Sequence, residues 1–457
     1  MRTILSAVAA FACAALGFAE SDTPRPVVEY AVRGGAGHAL EKLRRGGPFK
    51  VAYLGGSITE AGEAVEGWRT RATKWLRKSY PLAQVTEVAA AIGGTESTLG
   101  AYRLEHDVLR HGPDLMFVEF ACNDMAISVR DSRRAMESIV RQTWRKNPST
   151  DIVFVYTITV KMTNDYVNAR CHQVLAAHNE IADRYGIPSV DFGPRVVRLL
   201  KEGRLLMKSN DLPTPVPRED PERDRKVREA MASWHGILFS NDGVHPRAEG
   251  HALYLESLTN LFAMVGMSAK SDHAAVLGEP MYKDGAIPDA KMVPVTPEMC
   301  YGDWQDVAPS TPFVGQFLGR TDTMREANRP GSALKFRFSG SDCALYAVFG
   351  PNGGRIRISV DGKQVSVHDL FDKYCTYYRL ATVPINADPG VHDVEVRLIE
   401  GQADRRVVFW RVTKPDARAY IEKKMAEGFY DGHRFAVGAI LVNGTVESHA
   451  QAGVRSM

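Results

Sequence analysis

The 457-residue sequence predicts a three-layer α/β/α domain followed by an all-β sandwich or jelly roll. Three observations carry that expectation. From residue 50 to about 265, short apolar runs alternate with helical patterns, as strands and helices do in α/β domains. The apolar runs are hydrophobic on both faces, which a parallel sheet covered by helices requires. Beyond about 296 the pattern changes to period two, with turn residues between the runs.

The first half supplies its strands in the order FKVAYLGG, QVTEVAAAIGG, DLMFVEFACND, DIVFVYTITV and IPSVDF. Helical patterns fall between and around them: GWRTRATKWLRKSY, STLGAYRLEHDVLRHG, SRRAMESIVRQTWRKN and DYVNARCHQVLAAHNEIADRYG. Residues 205–240 break this rhythm with a proline- and charge-rich excursion, a length of loop that in compact domains is functional or disordered. HPRAEGHALYLESLTNLFAMV then resumes a helix. In the second half ALKFRFSG, CALYAVFG, GRIRISVDGKQVSVHDL, YYRLATVPI, HDVEVRLIEG and RRVVFWRVT read as strands, with an Asp361-Gly362 hairpin turn. The expected division is a signal peptide at 1–19, an N-terminal segment at 20–49, the α/β domain at 50–268, a linker at 269–295, the β domain at 296–415 and a tail at 416–457. In the tail AYIEKKMAEG looks helical and FAVGAILVNGTV strand-like, with their packing left open.

Composition narrows the functional class. With 57 basic against 54 acidic residues the net charge is only +3, and no basic block interleaved with aromatics argues for nucleic acid. The opening MRTILSAVAAFACAALGFAES has an early arginine, an apolar stretch and small residues before Glu20, the pattern of a secretory leader. Export to the periplasm or medium is therefore expected, and no later stretch is long and apolar enough for a membrane span. Five cysteines follow the leader, an odd number without a C-x-x-C pair. Cys343 with Cys375 is the pair best suited to bridge in an oxidising compartment; the alternative keeps all five as small buried hydrophobes.

Ser57 closes the first strand after two glycines, in VAYLGGSITE. Alone it is commonplace turn chemistry. SNDGVHP at 240–246 gives it meaning, because Asp242 and His245 stand three apart just before a helix. A serine hydroxyl needs a base to become a nucleophile, and the histidine needs a carboxylate to fix its tautomer. Acyl transfer also needs donors for the developing oxyanion, and the N–H groups of Ser57 and Gly94 (or Gly93) and the amide of Asn123 close three strands. A G-x-S-x-G elbow is excluded by Thr59, and no phosphate loop, H-E-x-x-H helix or strand-linked dinucleotide loop occurs. His245 and His251, or His172 and His178, are six apart and share no helical face for a metal.

The blocks GGSIT, AIGGTES, FACND and DGVHP resemble the four signature blocks of the SGNH (GDSL-type) hydrolase superfamily, over residues about 50–265. The resemblance implies a flavodoxin-like sheet, Ser57 as nucleophile, His245 as base with Asp242 before it, and Ser57, Gly94 and Asn123 as the oxyanion hole. Three positions depart from the family pattern: Gly56 where aspartate is usual, Ala121 where glycine is common, and Ala89 in place of the asparagine that often opens the second block.

Glu60 at the rim and the aromatic rings of Trp68 and Trp234 are candidate substrate contacts, with a local hydrogen-bonding role as the alternative for Glu60 and burial in the core for the tryptophans. Arg69 and Arg103 fit either anionic substrate groups or structural ion pairs, with the ion pairs favoured. The expectation is an exported serine esterase acting on O-acyl, most simply O-acetyl, groups of poly- or oligosaccharides, with no metal or other cofactor. A lipid-ester or thioester hydrolase and an inactive carbohydrate-binding protein are the competing readings.

Overall fold

In the first half of the chain, five strands run parallel: β2 (Gly47–Gly55), β3 (Ala83–Ala91), β4 (Leu115–Glu119), β5 (Asp151–Tyr156) and β6 (Ser189–Asp191). A short antiparallel strand, β1 (Tyr30–Ala31), closes the edge beside β6. The computed structural model describes residues 25–61, 65–212, 222–266, 269–283, 286–410 and 415–448, so the expected leader and part of the proline-rich excursion lie outside the described residues. Every residue of β4 and β5 is buried, which is why those runs carry no polar alternation.

The strand order is β1-β6-β5-β4-β2-β3. The chain leaves the first parallel strand, β2, toward β3 on one side and returns to β4 on the other. That reversal opens a crevice beyond the carboxyl ends of β2 and β4, the place where open α/β sheets bind ligands. Helices α3 (Trp68–Ser79), α8 (Gly193–Lys201) and α10 (Ala248–Val265) pack together, as do α4 (Ser97–Asp107), α5 (Val129–Lys146) and α7 (Gln173–Tyr185). Ser128 caps α5 by accepting the Asp131 N–H at 3.1 Å. The long helical pattern over 165–186 is two helices, α6 (Thr163–Val167) and α7. Ala169 takes a positive φ of 53° between them, and His172 caps α7 by accepting the Val174 N–H.

The second half is an antiparallel sheet built on two long strands, β13 (Ala333–Phe349) and β18 (Phe435–Ser448). On its other edge β13 pairs first with β17 (Gly390–Ile399) and then with β16 (Arg379–Ile385), so one strand serves two wings. The change follows a register shift between Gly340 and Asp342, where Gly444 crosses close to Ser339 and Gly340. The expected strands at 333–340 and 343–350 are therefore one. Beyond β17 lie β14 (Arg355–Val360) and β15 (Lys363–Asp369), joined by the Asp361-Gly362 turn, with φ of 50° and 76°.

The strand-like tail run FAVGAILVNGTV, whose packing the sequence leaves open, is part of β18, which lies between β13 and β9 (Ala290–Pro294). Two readings need correction. RRVVFWRVT, read as a strand, opens as helix α12 (Arg405–Trp410), with Phe409 buried among Phe371, Cys375, Ile421 and Tyr430. Cys343 and Cys375 are both unbridged, and they sit in separate apolar clusters. Burial pushes both thiols up, to about 12 for Cys375.

The two halves share a core: Tyr346, Ala439 and Leu441 join the apolar cluster of the parallel-sheet half. Ion pairs Arg134–Asp342 at 3.2 Å, Arg110–Asp322 at 2.9 Å and Arg320–Glu60 at 2.9 Å cross the junction.

Candidate active site

Ser57 begins the one-turn helix α2 (Ser57–Glu60) directly after β2. Its N–H belongs to a first turn and so has no partner within the helix. Gly56 before it packs against the end of β4's loop: a Cβ there would stand 2.9 Å from Asn123 Cγ and closer still to its Oδ1. The departure at this position thus has a steric cause, because the Asn123 amide occupies the space a side chain would need.

His245 reaches Ser57 from the loop before α10, with Nε2 2.9 Å from Ser57 Oγ. Its Nδ1 lies 2.8 Å from Asp242 Oδ2. The loop is a nest of local hydrogen bonds. Asp242 Oδ1 accepts the N–H groups of Val244 and His245, both at 2.9 Å, and the Ser240 hydroxyl at 2.8 Å. Ser240 Oγ in turn accepts the N–H of Asp242 at 3.1 Å and of Gly243 at 2.9 Å. Gly243, at φ 84°, makes the turn possible, and its carbonyl accepts the Val160 N–H after β5 at 2.7 Å. Partial burial opposes ionisation of Asp242, but the bonds from the His245 ring, the two N–H groups and Ser240 outweigh it. They hold the carboxyl far below the usual carboxylate range. An ionised carboxylate only accepts, so Nδ1 carries the imidazole proton and Nε2 presents its lone pair to the Ser57 hydroxyl.

Gly93 and Gly94 follow β3. Gly93 stands beside Ser57, where an added Cβ would lie 3.5 Å from Ser57 Cβ. Its N–H is donated to Glu60 Oε2 at 2.7 Å. Gly94, at φ 71°, makes no such bond among the described residues, and a Cβ added there would meet nothing within 4 Å. Asn123 follows β4, and its neighbour Asp124 anchors the loop. Buried Asp124 accepts the Ser97 N–H at 2.8 Å and the hydroxyls of Ser97 at 2.7 Å and Ser132 at 2.6 Å, with His178 Nε2 at 3.0 Å. These bonds tie the Asn123 loop to the start of α4, just after Gly94. Beneath Ser57, buried Glu119 accepts the hydroxyls of Thr59 at 2.8 Å and Thr157 at 2.7 Å; burial raises its carboxyl above the usual range.

The structure therefore brings Ser57, His245, Asp242, Gly93 and Asn123 to one end of the sheet, with Glu60 beside them. Trp68 is corrected: it is fully buried against Tyr53, Phe117 and Phe192 and reaches no cleft. Its backbone N–H is donated to His251 Nδ1 at 3.1 Å, and burial depresses that imidazole to about 4, which keeps it a neutral acceptor. Trp234 packs on Gly236 and a small cluster of Leu212, Val227 and Leu238, and no contact among the described residues joins it to Ser57 or His245. Arg69 pairs with Glu87, and Arg103 is buried in bonds to the carbonyls of Ala90 and Gly55 and to Asp107, both structural as expected.

Sequence reasoning missed Ser240, Asp124 and Arg320. Ser240 was legible in principle, as a serine two residues before Asp242 in a turn. Asp124 follows Asn123 in the same block, and only burial reveals its role. Arg320 left no signal, since it comes from the β half to hold Glu60. Beside Glu60 a cavity of about 540 Å3 runs along β3, lined by Arg69, Glu87, Asp107, Arg110 and Arg320 among others.

Residues 53–253 match the model of the GDSL-like Lipase/Acylhydrolase family. Among solved structures, a two-domain esterase (CEX) active on acetylated mannans, co-crystallised with mannopentaose, is similar over 92% of this chain and 98% of its own, at 20% identity and a TM-score of 0.65. A second crystal structure described as a two-domain esterase (CEX) active on acetylated mannans is similar over 90% and 95%, at 19% identity and a TM-score of 0.63. Both likenesses extend through the two halves and show a shared fold. No curated protein matches the chain.

Proposed function

We propose that this chain, whose residues 53–253 form a GDSL-like lipase/acylhydrolase domain, is an exported serine esterase that removes O-acyl groups, most simply acetyl, from carbohydrates. The observation that carries the reading is the relay Ser57 Oγ–His245 Nε2–His245 Nδ1–Asp242, with steps of 2.9 and 2.8 Å. In this mechanism His245 takes the hydroxyl proton as Ser57 Oγ bonds to the ester carbonyl carbon. The carbonyl oxygen becomes an oxyanion facing the N–H groups of Ser57 and Gly94 and the Asn123 amide. His245 then gives its proton to the departing sugar oxygen, which leaves an acyl-Ser57 ester. A water surrenders a proton to His245, attacks that ester and releases the carboxylic acid, and the proton returns to Ser57.

Asp242 holds the imidazole in the productive tautomer and stabilises the imidazolium formed in each step. The His245 side chain is 52% exposed, which suits an ester carried on a bulky hydrophilic chain better than a long acyl group enclosed in a tunnel. The charged cavity beside Glu60 is likewise chemistry for hydroxyl-rich ligands, and the esterase of similar fold acts on acetylated mannans. The leader-like residues 1–19 support export.

Acid release from acetylated mannan, acetylated xylan and acetyl or octanoyl nitrophenyl esters tests the reading. Acetyl release from a glycan, at rates above those for the octanoyl ester, is the expected result. Preference for octanoyl ester would favour the lipid-ester reading, and no turnover with any of them would leave a binding protein.

A further inference from the structure

At the opposite end of the parallel strands from Ser57, three side chains from remote parts of the chain converge. His38 lies on α1 (Gly37–Arg45), Asp151 opens β5 and His273 opens α11 (His273–Leu277). One ligand-type atom of each lies within 4.8 Å of those of the other two.

The hydrogen bonds around them leave lone pairs unspent. His273 Nδ1 is 2.9 Å from the Pro148 carbonyl, an oxygen that only accepts, so Nδ1 carries the proton and Nε2 is a bare lone pair. That Nε2 faces Asp151 Oδ1 at 3.6 Å, too far for a hydrogen bond. Asp151 is 1% exposed; its Oδ2 accepts the Ala39 N–H at 2.7 Å, while Oδ1 has no hydrogen-bond partner among the described residues. His38 Nε2 donates to the Ser271 carbonyl at 2.9 Å, which leaves its other nitrogen as an acceptor too. The His273 ring is locked by stacking on Trp144, 4.2 Å between centroids and 5° between planes.

Acceptors facing each other in a buried place are costly unless a proton or cation lies between them. Imidazoles that donate their second N–H to backbone carbonyls have the outer-shell arrangement that orients metal-bound histidines. Two imidazole nitrogens and one carboxylate oxygen are a donor set for zinc, whose tetrahedral ligands lie about 3.3 Å apart. His38 is only partly buried, so its side of the cluster can close on the ion and admit a water as fourth ligand.

We propose that His38, Asp151 and His273 form a structural site for a divalent transition-metal ion of the zinc type, which fastens α1 and α11 to the start of β5. The site is separate from the ester chemistry. Asp151 begins a strand parallel to β2, and the six residues of β5 put the two ends of the strands on the order of 20 Å apart.

The test uses untagged full-length protein stripped with a chelator and then titrated with Zn2+ or Co2+. Expected are close to one zinc per chain by elemental analysis, a rise of several degrees in Tm on adding Zn2+, and the visible absorption of tetrahedral Co2+. His38→Gln should fold with the Tm of the stripped wild type and lose at least tenfold in zinc affinity; Asp151→Asn should lose more. Ester turnover below the Tm should be unchanged in His38→Gln. A wild type that retains no zinc and shows no Tm response would overturn the proposal, as would His38→Gln and Asp151→Asn variants that bind zinc as the wild type does.

Discussion

Glu60 takes the Gly93 N–H at 2.7 Å and is itself held by Arg320 at 2.9 Å. One carboxylate therefore links the β half of the chain to the loop that carries Gly94. It also occupies the Gly93 N–H, so that in the proposed oxyanion hole Gly94 is the glycine left to donate. Glu60→Ala should lower kcat by about ten- to hundredfold, the scale of a small misplacement of a catalytic donor. Arg320→Ala should give a smaller loss in the same direction. Steady-state kinetics on an acetyl ester checks both, and a wild-type kcat in Glu60→Ala would remove it from any positioning role.

Ser57→Ala should fold normally and lose turnover, together with covalent labelling by a fluorophosphonate. Intact-mass measurement reads the label directly. Labelling that persists in the variant would put the nucleophile elsewhere.

Asp242→Asn replaces an acceptor-only group by an amide that no longer imposes the tautomer on His245. A loss of about 10⁴ in kcat is expected with the circular dichroism spectrum retained. Activity near wild type would mean that another group orients the imidazole.

The same carboxylate makes a pH prediction. Its folded-state pKa lies below the ordinary aspartate value of about 3.9, so the stability it contributes is present above that pH and lost as pH falls toward the folded-state value. Tm should therefore drop more steeply below about pH 4 in the wild type than in Asp242→Asn. Parallel curves would show that the Asp242 loop does not couple protonation to folding.

Gly56→Ala forces a methyl group onto the Asn123 amide. If Asn123 supplies an oxyanion donor, Gly56→Ala and Asn123→Ala should both lose about 10²- to 10³-fold in kcat, and the double variant little more than either. Additive losses would separate the two residues.

Local patterns carried much of this molecule because local rules govern them. The runs from Val51 and Leu115 announce parallel strands since burial on both faces leaves no polar alternation. Asp242 and His245 were legible because one turn holds both and its bonds are made within six residues. RRVVFWRVT misled for the same reason: a short apolar run satisfies a strand or a helix until its neighbours are known, and Phe409 finds its partners in Phe371, Cys375 and Tyr430. Trp68 misled because nearness in sequence to Ser57 says nothing about which way an aromatic ring faces.

By itself, then, the sequence determined the α/β-then-β order of the chain and singled out the candidate reactive groups, which depend on residue type and short-range spacing. Only the tertiary structure decided that Gly56 must be bare beside Asn123, that Arg320 reaches across to Glu60, and that positions 38, 151 and 273 meet. The reason is physical. Those relationships are set by which surfaces exclude water together, and that becomes defined only when segments hundreds of residues apart pack into one core.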